Sequence, residues 1–463
     1  MKKLFAVLFA VFFFVPVLSA QVKSADPDVQ KMQDTIKQLQ DRVEKLEKEY
    51  QPVSKITDTS TLSAENENFP KSGVSQIELR DSFNDRQEAA PRPYNLTLDP
   101  TYNGFIPIPS THALIQFNAR PRVDLTNDNN YSGNDNMFVT ASIPVTGDSQ
   151  KGGGYQFNMN ARGSRLSMDV RAPGISGNPR FYYENDFAGS GSSYLNYRVR
   201  HLYGQFHNVI VGQTYTVFED ADAWPDTVDY EGPNAAISAR RPLIRYLLLF
   251  REHWGLAFSL EKPDCQVDAS NDPSATSEFH APEGGFYIKW AKAGIGHIQF
   301  STIFRDIGVS GALVGDQTTF GWGLNLSSSI DITKHDSFQT QLTYGQGIFY
   351  FINDAISNND AAFDANGKLQ PLPVVALMGG YTHHWSNKFR STASFGFVNL
   401  DNQYSQAWNA YHRTYYASTN VVFQLFKRLS FGLEGLYGYK QVKSHASGDV
   451  FRVQASVMYT LFK

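Results

Sequence analysis

The sequence is poor in features that several protein classes require. It has one cysteine, Cys265, so an internal disulfide and a CxxC metal site are both excluded. Charged residues make up only 19% of its 463 residues and the formal net charge is −4, which excludes a basic nucleic-acid surface. Beyond residue 20 no run of 18 apolar residues occurs, so a bundle of membrane-spanning helices is excluded as well. No HExxH, P-loop or G-x-S-x-G motif is found, and we expect no metal, no cofactor and no nucleic-acid partner.

The N-terminus has the layout of a secretory signal. Lys2 and Lys3 precede an apolar run over residues 4–18, and the small residues Ser19 and Ala20 suit cleavage. We predict a signal peptide over residues 1–20 and therefore export from the cytoplasm. An uncleaved anchor is the alternative, although the run is short for a span.

A heptad pattern follows the signal. Apolar residues recur at alternating intervals of three and four, at Val29, Met32, Ile36, Leu39, Val43, Leu46 and Tyr50. This spacing predicts a coiled coil over residues 26–50, which lies in the periplasm and ends before Pro52. The alternative is one amphipathic helix packed on its own domain. Residues 51–110 are polar without sustained periodicity and are predicted to form a linker.

From about residue 111 the chain consists of short runs with period 2. Near the C-terminus, Phe451, Val453 and Ala455 alternate with Arg452 and Gln454. In a soluble sandwich the apolar face would be the core, whereas in an outer-membrane barrel it meets lipid and the polar face lines the lumen. The pattern alone allows both folds.

The lengths of the connections favour the barrel. Tight turns near residues 208, 252, 294–296, 334, 386–388 and 427 alternate with long connections at 219–241, 264–283, 308–317, 349–372 and 401–412. Outer-membrane barrels alternate short periplasmic turns with long extracellular loops. With residues 137–143 assigned to the first external loop, sixteen candidate strands remain. We predict an all-β transmembrane barrel of about sixteen antiparallel strands over residues 111–463, wide enough for an aqueous channel.

The connection over residues 219–241 is the candidate functional loop. Its acidic residues are Glu219, Asp220, Asp222, Asp226, Asp229 and Glu231, and it ends near Arg240, Arg241 and Arg245. One interpretation is that these acids and arginines pair on the outer rim. The other, more specific interpretation is that the loop folds into the lumen and constricts the pore.

Strand alternation also predicts a wall of arginines that face the lumen. Its members are Arg120, Arg122, Arg165, Arg171, Arg180, Arg198, Arg200 and Arg452, on strands that become neighbours if the last strand pairs with the first. Arginine stays charged at physiological pH and offers five donors, so this wall suits carboxylate or phosphate groups. We expect a preference for anions, unless Glu184, Asp186 or the acidic loop neutralises the arginines.

Five segments carry a resemblance to a known family. Residues 198–204 (RVRHLYG), 212–215 (GQTY), 218–223 (FEDADA), 228–233 (VDYEGP) and 241–246 (RPLIRY) read in order like DcaP-like trimeric outer-membrane porins. The similarity extends from about residue 110 to the C-terminus. It implies a homotrimer in the outer-membrane bilayer of a Gram-negative cell. It also implies a third loop that narrows each pore, and diffusion of small anions such as dicarboxylates.

Two other functions remain open at this point. The coiled coil would suit an adhesin or a tether to the cell envelope. His201 or the His383-His384 pair could serve a surface hydrolase, but nothing in the sequence fixes their spacing to a nucleophile, and a His pair beside Trp385 is typical of an interfacial belt. We expect a channel and not an enzyme.

Overall fold

The computed structural model describes residues 105–461, except 173–174, 191–193, 251–252, 270–271 and 356–358. The predicted signal peptide, the coiled coil and residues 51–104 of the predicted linker lie outside this part. No helix among the described residues is long and apolar enough to cross a membrane. Their helical segments are the 3₁₀ turns Thr140–Ser142, Ala221–Ala223 and Phe349–Phe351.

The described residues form 23 strands, twenty in one antiparallel sheet and three in a small separate sheet. The strands are β1 (Ile106–Pro107), β2 (Leu114–Arg120), β3 (Arg122–Asp128), β4 (Gln156–Asn160), β5 (Arg165–Arg171), β6 (Arg180–Asp186), β7 (Arg198–Phe206), β8 (Val209–Tyr215), β9 (Arg240–Phe250), β10 (Trp254–Glu261), β11 (Val267–Asp268), β12 (Thr276–Glu278), β13 (Glu283–Lys292), β14 (Gly296–Ser310), β15 (Gln317–Asp331), β16 (Asp336–Gln346), β17 (Ala361–Phe363), β18 (Leu369–Pro371), β19 (Pro373–Ser386), β20 (Phe389–Leu400), β21 (Tyr411–Phe426), β22 (Leu429–Val442) and β23 (Ser447–Tyr459). The small sheet consists of β11, β17 and β18.

This count is larger than the sixteen strands predicted from the sequence, for two reasons. Two long extended segments are each divided: Pro121, whose nitrogen cannot donate to the ladder, separates β2 from β3, and residues 161–164 separate β4 from β5. In addition, β1, β11, β12, β17 and β18 are strands of two or three residues. One of them, β1, lies inside the segment predicted to be linker.

The long strands pair with their chain neighbours, and β23 pairs with β3 through Arg452–Met458 and Arg122–Asp128. On its other side β3 pairs with β4, while β2 pairs with β5. The last strand is therefore hydrogen-bonded to the beginning of the sheet, as the arginine-wall prediction requires.

The large sheet exposes its apolar face and buries its polar face. In β16, Phe338, Leu342 and Tyr344 are 41–49% exposed, whereas Gln339 and Gln341 on the opposite face are at most 4% exposed. A soluble sandwich would have the reverse arrangement. The prediction that apolar residues point outward along the alternating strands is confirmed.

Short and long connections alternate along the sheet as predicted. Residues 207–208, 387–388 and 427–428 are the whole connections at three of the tight turns. Three of the long connections are named L1 (residues 129–155), L3 (216–239) and L6 (347–372). Residues 137–143 belong to L1 and form no strand.

Candidate functional site: a loop held against a charged wall

Loop L3 is buried against the polar face of the large sheet. Of its predicted acidic residues, Glu219, Asp220, Asp222 and Asp229 are at most 8% exposed. The carbonyl oxygen of Phe218 accepts hydrogen bonds from β14 and β15, and that of Val228 accepts them from β3 and β23. Because strands distant in the sheet contact one short loop, the sheet curves around L3.

The first attachment of L3 is a buried ionic cluster. The Lys289 ammonium lies 3.0 Å from Asp220 Oδ1 and 3.1 Å from Asp222 Oδ2, and Asp220 Oδ2 lies 2.8 Å from His297 Nε2. Burial alone would raise the pKa of Asp220, but His297 and Lys289 hold that pKa well below its usual range. Asp220, Asp222 and His297 lie close enough together to bind a metal ion. Lys289 already supplies the positive charge, so we assign no metal to this cluster.

The second attachment holds the middle of the loop. Arg390 Nε on β20 donates to Asp226 Oδ2 at 2.5 Å, and Asn420 on β21 donates to the Asp226 carbonyl at 2.8 Å. The side chain of Arg390 is 6% exposed, so the contact is largely shielded from water.

The third attachment joins two acidic residues. The backbone amide of Asp229 donates to Glu434 Oε2 on β22 at 2.5 Å, and the Asp229 carboxyl accepts from the Gly232 amide at 3.0 Å. Burial and the adjacent Glu434 raise the pKa of Asp229 to about 8. Asp229 is therefore protonated at neutral pH, unlike the ionised Asp220.

The fourth attachment is Tyr230, which reaches the predicted arginine wall. Its hydroxyl donates to Asp186 Oδ2 at 2.6 Å and accepts from Arg165 Nη2 at 3.3 Å and Arg200 Nη1 at 3.2 Å. The guanidinium carbons of Arg122 and Arg165 each lie 5.3 Å from the centre of its ring, which is cation–π distance.

The arginines predicted to face the lumen lie on the buried face of the sheet, and most are paired with carboxylates. The pairs are Arg122 with Asp124 (2.9 Å), Arg165 with Glu184 (3.5 Å), Arg180 with Asp169 (2.6 Å), Arg198 with Asp186 (2.7 Å), Arg200 with Glu184 (2.7 Å) and Asp186 (3.1 Å), Arg241 with Glu283, Arg245 with Glu261 (3.6 Å) and Arg452 with Asp128 (2.5 Å). Arg120 lies opposite Arg165 in the β2–β5 ladder, and Arg240 lies over the Tyr215 ring. Neutralisation by Glu184 and Asp186, the alternative considered from the sequence, is therefore present, and acids on the same strands extend it.

A β-bulge places two adjacent residues of β7 on the buried face. Glu184 pairs with His201 and Asn185 with Val199, so Arg200 is the extra residue. Arg200 and His201 are both at most 1% exposed. The imidazole of His201 bonds the Thr214 hydroxyl and packs edge-on against Tyr215.

The histidine pair considered for a hydrolase lies near the C-terminal end of β19. Nδ1 of His383 is 2.6 Å from Asp336, and its ring packs edge-on against the exposed Trp385. The bond to Asp336 uses one imidazole nitrogen of His383. This arrangement is typical of a structural hydrogen bond near the end of a strand.

Loops L1 and L6 are also buried inside the curved sheet, a position that was not predicted from the sequence. Asp354 of L6 joins them: it accepts from the Thr140 hydroxyl and the Ala141 amide of L1, each at 2.8 Å, and from the hydroxyls of Tyr411 (3.0 Å) and Thr414 (2.6 Å) on β21. Backbone hydrogen bonds also link L6 to L3, from Ser238 to Phe351 and from Asn353 to Ala236. The large apolar residues of L1 and L6 were a signal for this, because Phe138, Ile143, Phe349 and Phe351 must be buried somewhere.

Glycines on the inner face of the sheet make room for L3. A Cβ on Gly380 of β19 would lie 2.5 Å from Pro225, and one on Gly396 of β20 would overlap the Asn234 amide. Real Cβ atoms do not approach so closely. Side chains at these positions would displace the loop.

Strand alternation could also have identified three further cations that were not predicted. Lys289, Arg305 and Arg390 occupy buried positions on β13, β14 and β20. Arg305 pairs with Asp360 of L6 at 3.2 Å, and its guanidinium lies 5.1 Å from the Phe351 ring. The cations thus lie on both sides of L3.

Comparisons with known proteins agree with this geometry. A family model described as DcaP outer membrane protein matches residues 57–461. The crystal structure of the outer membrane channel DcaP of Acinetobacter baumannii has a TM-score of 0.68 and 20% identity, covering 77% of this chain and 99% of its own. The anion-selective porin from Comamonas acidovorans has a TM-score of 0.51 and 11% identity, covering 75% of this chain and 100% of its own. No curated protein matches the sequence. The solved structures show that the all-β antiparallel sheet shares the fold of these outer-membrane proteins.

Proposed function

Because the chain belongs to the DcaP outer membrane protein family, we propose that it is a porin for small hydrophilic solutes that prefers anions such as dicarboxylates. The observation that carries the proposal is the position of L3, which lies inside the curved sheet and meets a cation-rich face. In this proposal L3 is the constriction of the pore, assisted by L1 and L6.

The proposed barrel has sixteen membrane crossings. Counting β2 with β3 and β4 with β5 as single crossings, and leaving out the strands of two or three residues, gives that number. The pairing of β23 with β3 supports closure between the last crossing and the first. An even number places both ends in the periplasm, where the proposed coiled coil of residues 26–50 would lie after removal of the signal peptide.

An excess of positive charge on one part of the wall supports the anion preference. Eight arginines on β2, β3, β5, β6, β7 and β23 form this part of the wall: Arg120, Arg122, Arg165, Arg171, Arg180, Arg198, Arg200 and Arg452. The carboxylates facing them from the same strands are Asp124, Asp128, Asp169, Glu184 and Asp186. One unbalanced charge felt at roughly 7 Å is worth about 0.6–2.4 kcal/mol, for effective dielectrics between about 80 and about 20. The excess therefore favours anions by tens-fold without trapping them.

We propose that the assembly is a homotrimer, which is the form the family resemblance implies. Strands β6, β7 and β8 have only seven to nine residues, against fourteen to sixteen in β14, β15, β19 and β21. A lower wall on one side suits contact with neighbouring subunits.

A reversal-potential measurement tests the proposal. Purified protein in a planar bilayer under a tenfold KCl gradient should give a potential near that of chloride, and a dicarboxylate such as succinate should block the chloride current. A reversal potential near that of potassium would contradict the anion preference. Absence of any conductance from folded protein would favour the adhesin or tether.

A further inference from the structure

The Tyr230 hydroxyl of L3 occupies an unusual position between two cations. It accepts hydrogen bonds from Arg165 and Arg200 while donating to Asp186. One oxygen atom that accepts from two guanidinium groups is the arrangement that a carboxylate or phosphate oxygen makes with arginines. The hydroxyl thus stands where an oxygen of an anionic solute would bind.

The two hydrogen bonds to arginine are long for charged donors. They measure 3.3 and 3.2 Å, whereas bonds from guanidinium to carboxylate are typically about 2.7–2.9 Å. A neutral hydroxyl is a weaker acceptor than a carboxylate, so an anion would compete well for the same donors.

Displacement of the hydroxyl would leave its surroundings paired. Asp186 keeps two contacts with Arg198, at 2.9 and 2.7 Å, and one with Arg200 at 3.1 Å. The neighbouring loop backbone is fixed independently, because the Asp229 amide bonds Glu434. The backbone of L3 would therefore stay attached if the Tyr230 hydroxyl were displaced.

We propose that Tyr230 is a specificity-determining residue of the pore. Its hydroxyl holds the Arg165–Arg200 pair between passages, and a solute carboxylate crosses the constriction by replacing it. Neutral solutes lack the charge to displace the hydroxyl and gain nothing from the pair. This inference rests on the proposed anion-selective function.

Tyr230→Phe tests the role because it removes only the hydroxyl and keeps the ring that lies over Arg122 and Arg165. Without the competing acceptor, succinate should block the chloride current at a concentration about fivefold to tenfold lower than in the wild type, the equivalent of one net hydrogen bond. Permeation of a neutral sugar in liposome swelling should not change. Tyr182→Phe is the matched control, since its buried hydroxyl bonds Glu184 at 3.0 Å on the same part of the wall.

The outcomes separate this inference from the proposed function. If Tyr230→Phe binds succinate no more tightly than the wild type, or Tyr182→Phe shows the same gain, the role of Tyr230 is rejected while an anionic reversal potential still supports the porin. If the wild type has neither anion preference nor block, the proposed function fails first. Folding is checked by heat-modifiable migration in gels. Tyr230→Met, which removes the ring as well as the hydroxyl, is the second variant if the Phe variant does not assemble, and it too should lower the succinate concentration that blocks the current.

Discussion

The buried carboxyl of Asp229 predicts that alkaline pH loosens the tip of L3. Burial beside Glu434 raises the pKa of Asp229 from its ordinary 3.8 to about 8. The other charged groups that act on it are Glu231 in the loop, which adds repulsion, and Arg452 on β23, which opposes the rise. In a detached loop the carboxyl would meet water and ionise near pH 4.

The sign and size of the effect follow from proton linkage. The attached state keeps its proton up to about pH 8, whereas the detached state loses it near pH 4. Attachment is therefore strongest below pH 4, weakens as the pH rises, and changes no further above about pH 8. Each pH unit in this window costs about 1.4 kcal/mol, or about tenfold in the detached population. The whole window amounts to about 6 kcal/mol, as an order of magnitude.

Single-channel recording between pH 5 and 9 measures the population with a detached loop as the fraction of time that the channel spends at higher conductance levels. In the wild type that fraction should rise about tenfold per pH unit from pH 6 to 8 and then level off. Asp229→Asn cannot ionise and should remove the slope. Glu434→Gln should move the plateau to lower pH because it removes the repelling charge.

The matched control is Asp220→Asn at the first attachment. Asp220 is already ionised throughout this range, so the variant should loosen the loop without removing the pH slope. An Asp229→Asn channel with the wild-type pH dependence would refute the reasoning.

Three further outcomes are expected. Arg200→Gln alone leaves Glu184 partly unpaired and should destabilise the protein by about 3–5 kcal/mol in denaturant unfolding. The double variant with Glu184→Gln should recover most of that loss, and equal stabilities of the single and double variants would show that the pair is not coupled. Gly380→Leu should expel Pro225 from its place against β19 and change the single-channel conductance at constant fold, and an unchanged conductance would mean that L3 does not limit the pore. Asp354→Ala should free L1 and L6, so that larger polyethylene glycols enter the pore in polymer-exclusion measurements. If the size of the largest polymer that enters does not change, L1 and L6 have only a structural role.

The orientation of the strands could be predicted because alternation needs only local sequence. Phe451 and Val453 point outward and Arg452 and Gln454 inward, as their spacing indicates. The composition of L3 favoured its inward position but left open the alternative that its acids and arginines pair on the outer rim. A loop with six carboxylates, a tryptophan and two prolines is unlike an ordinary solvated connection.

The pairing of the arginines could not be predicted, because it depends on contacts between residues far apart in the chain. Arg452 meets Asp128 only because β23 pairs with β3 in one particular register, 324 residues away. The extra residue Arg200 and the donors around Asp354 likewise depend on the assembled fold. Alternation indicates which side chains face inward, but not which of them meet there.

Loop L3 also has a mechanical consequence for the large sheet. Its hydrogen bonds reach β3, β14, β15, β21, β22 and β23, so it forms a transverse brace across the cross-section. Lateral pressure that flattened the curved sheet would have to break buried contacts at one end of this brace or the other. If L3 is the constriction of the pore, as proposed, the segment that narrows the opening also braces the sheet around it.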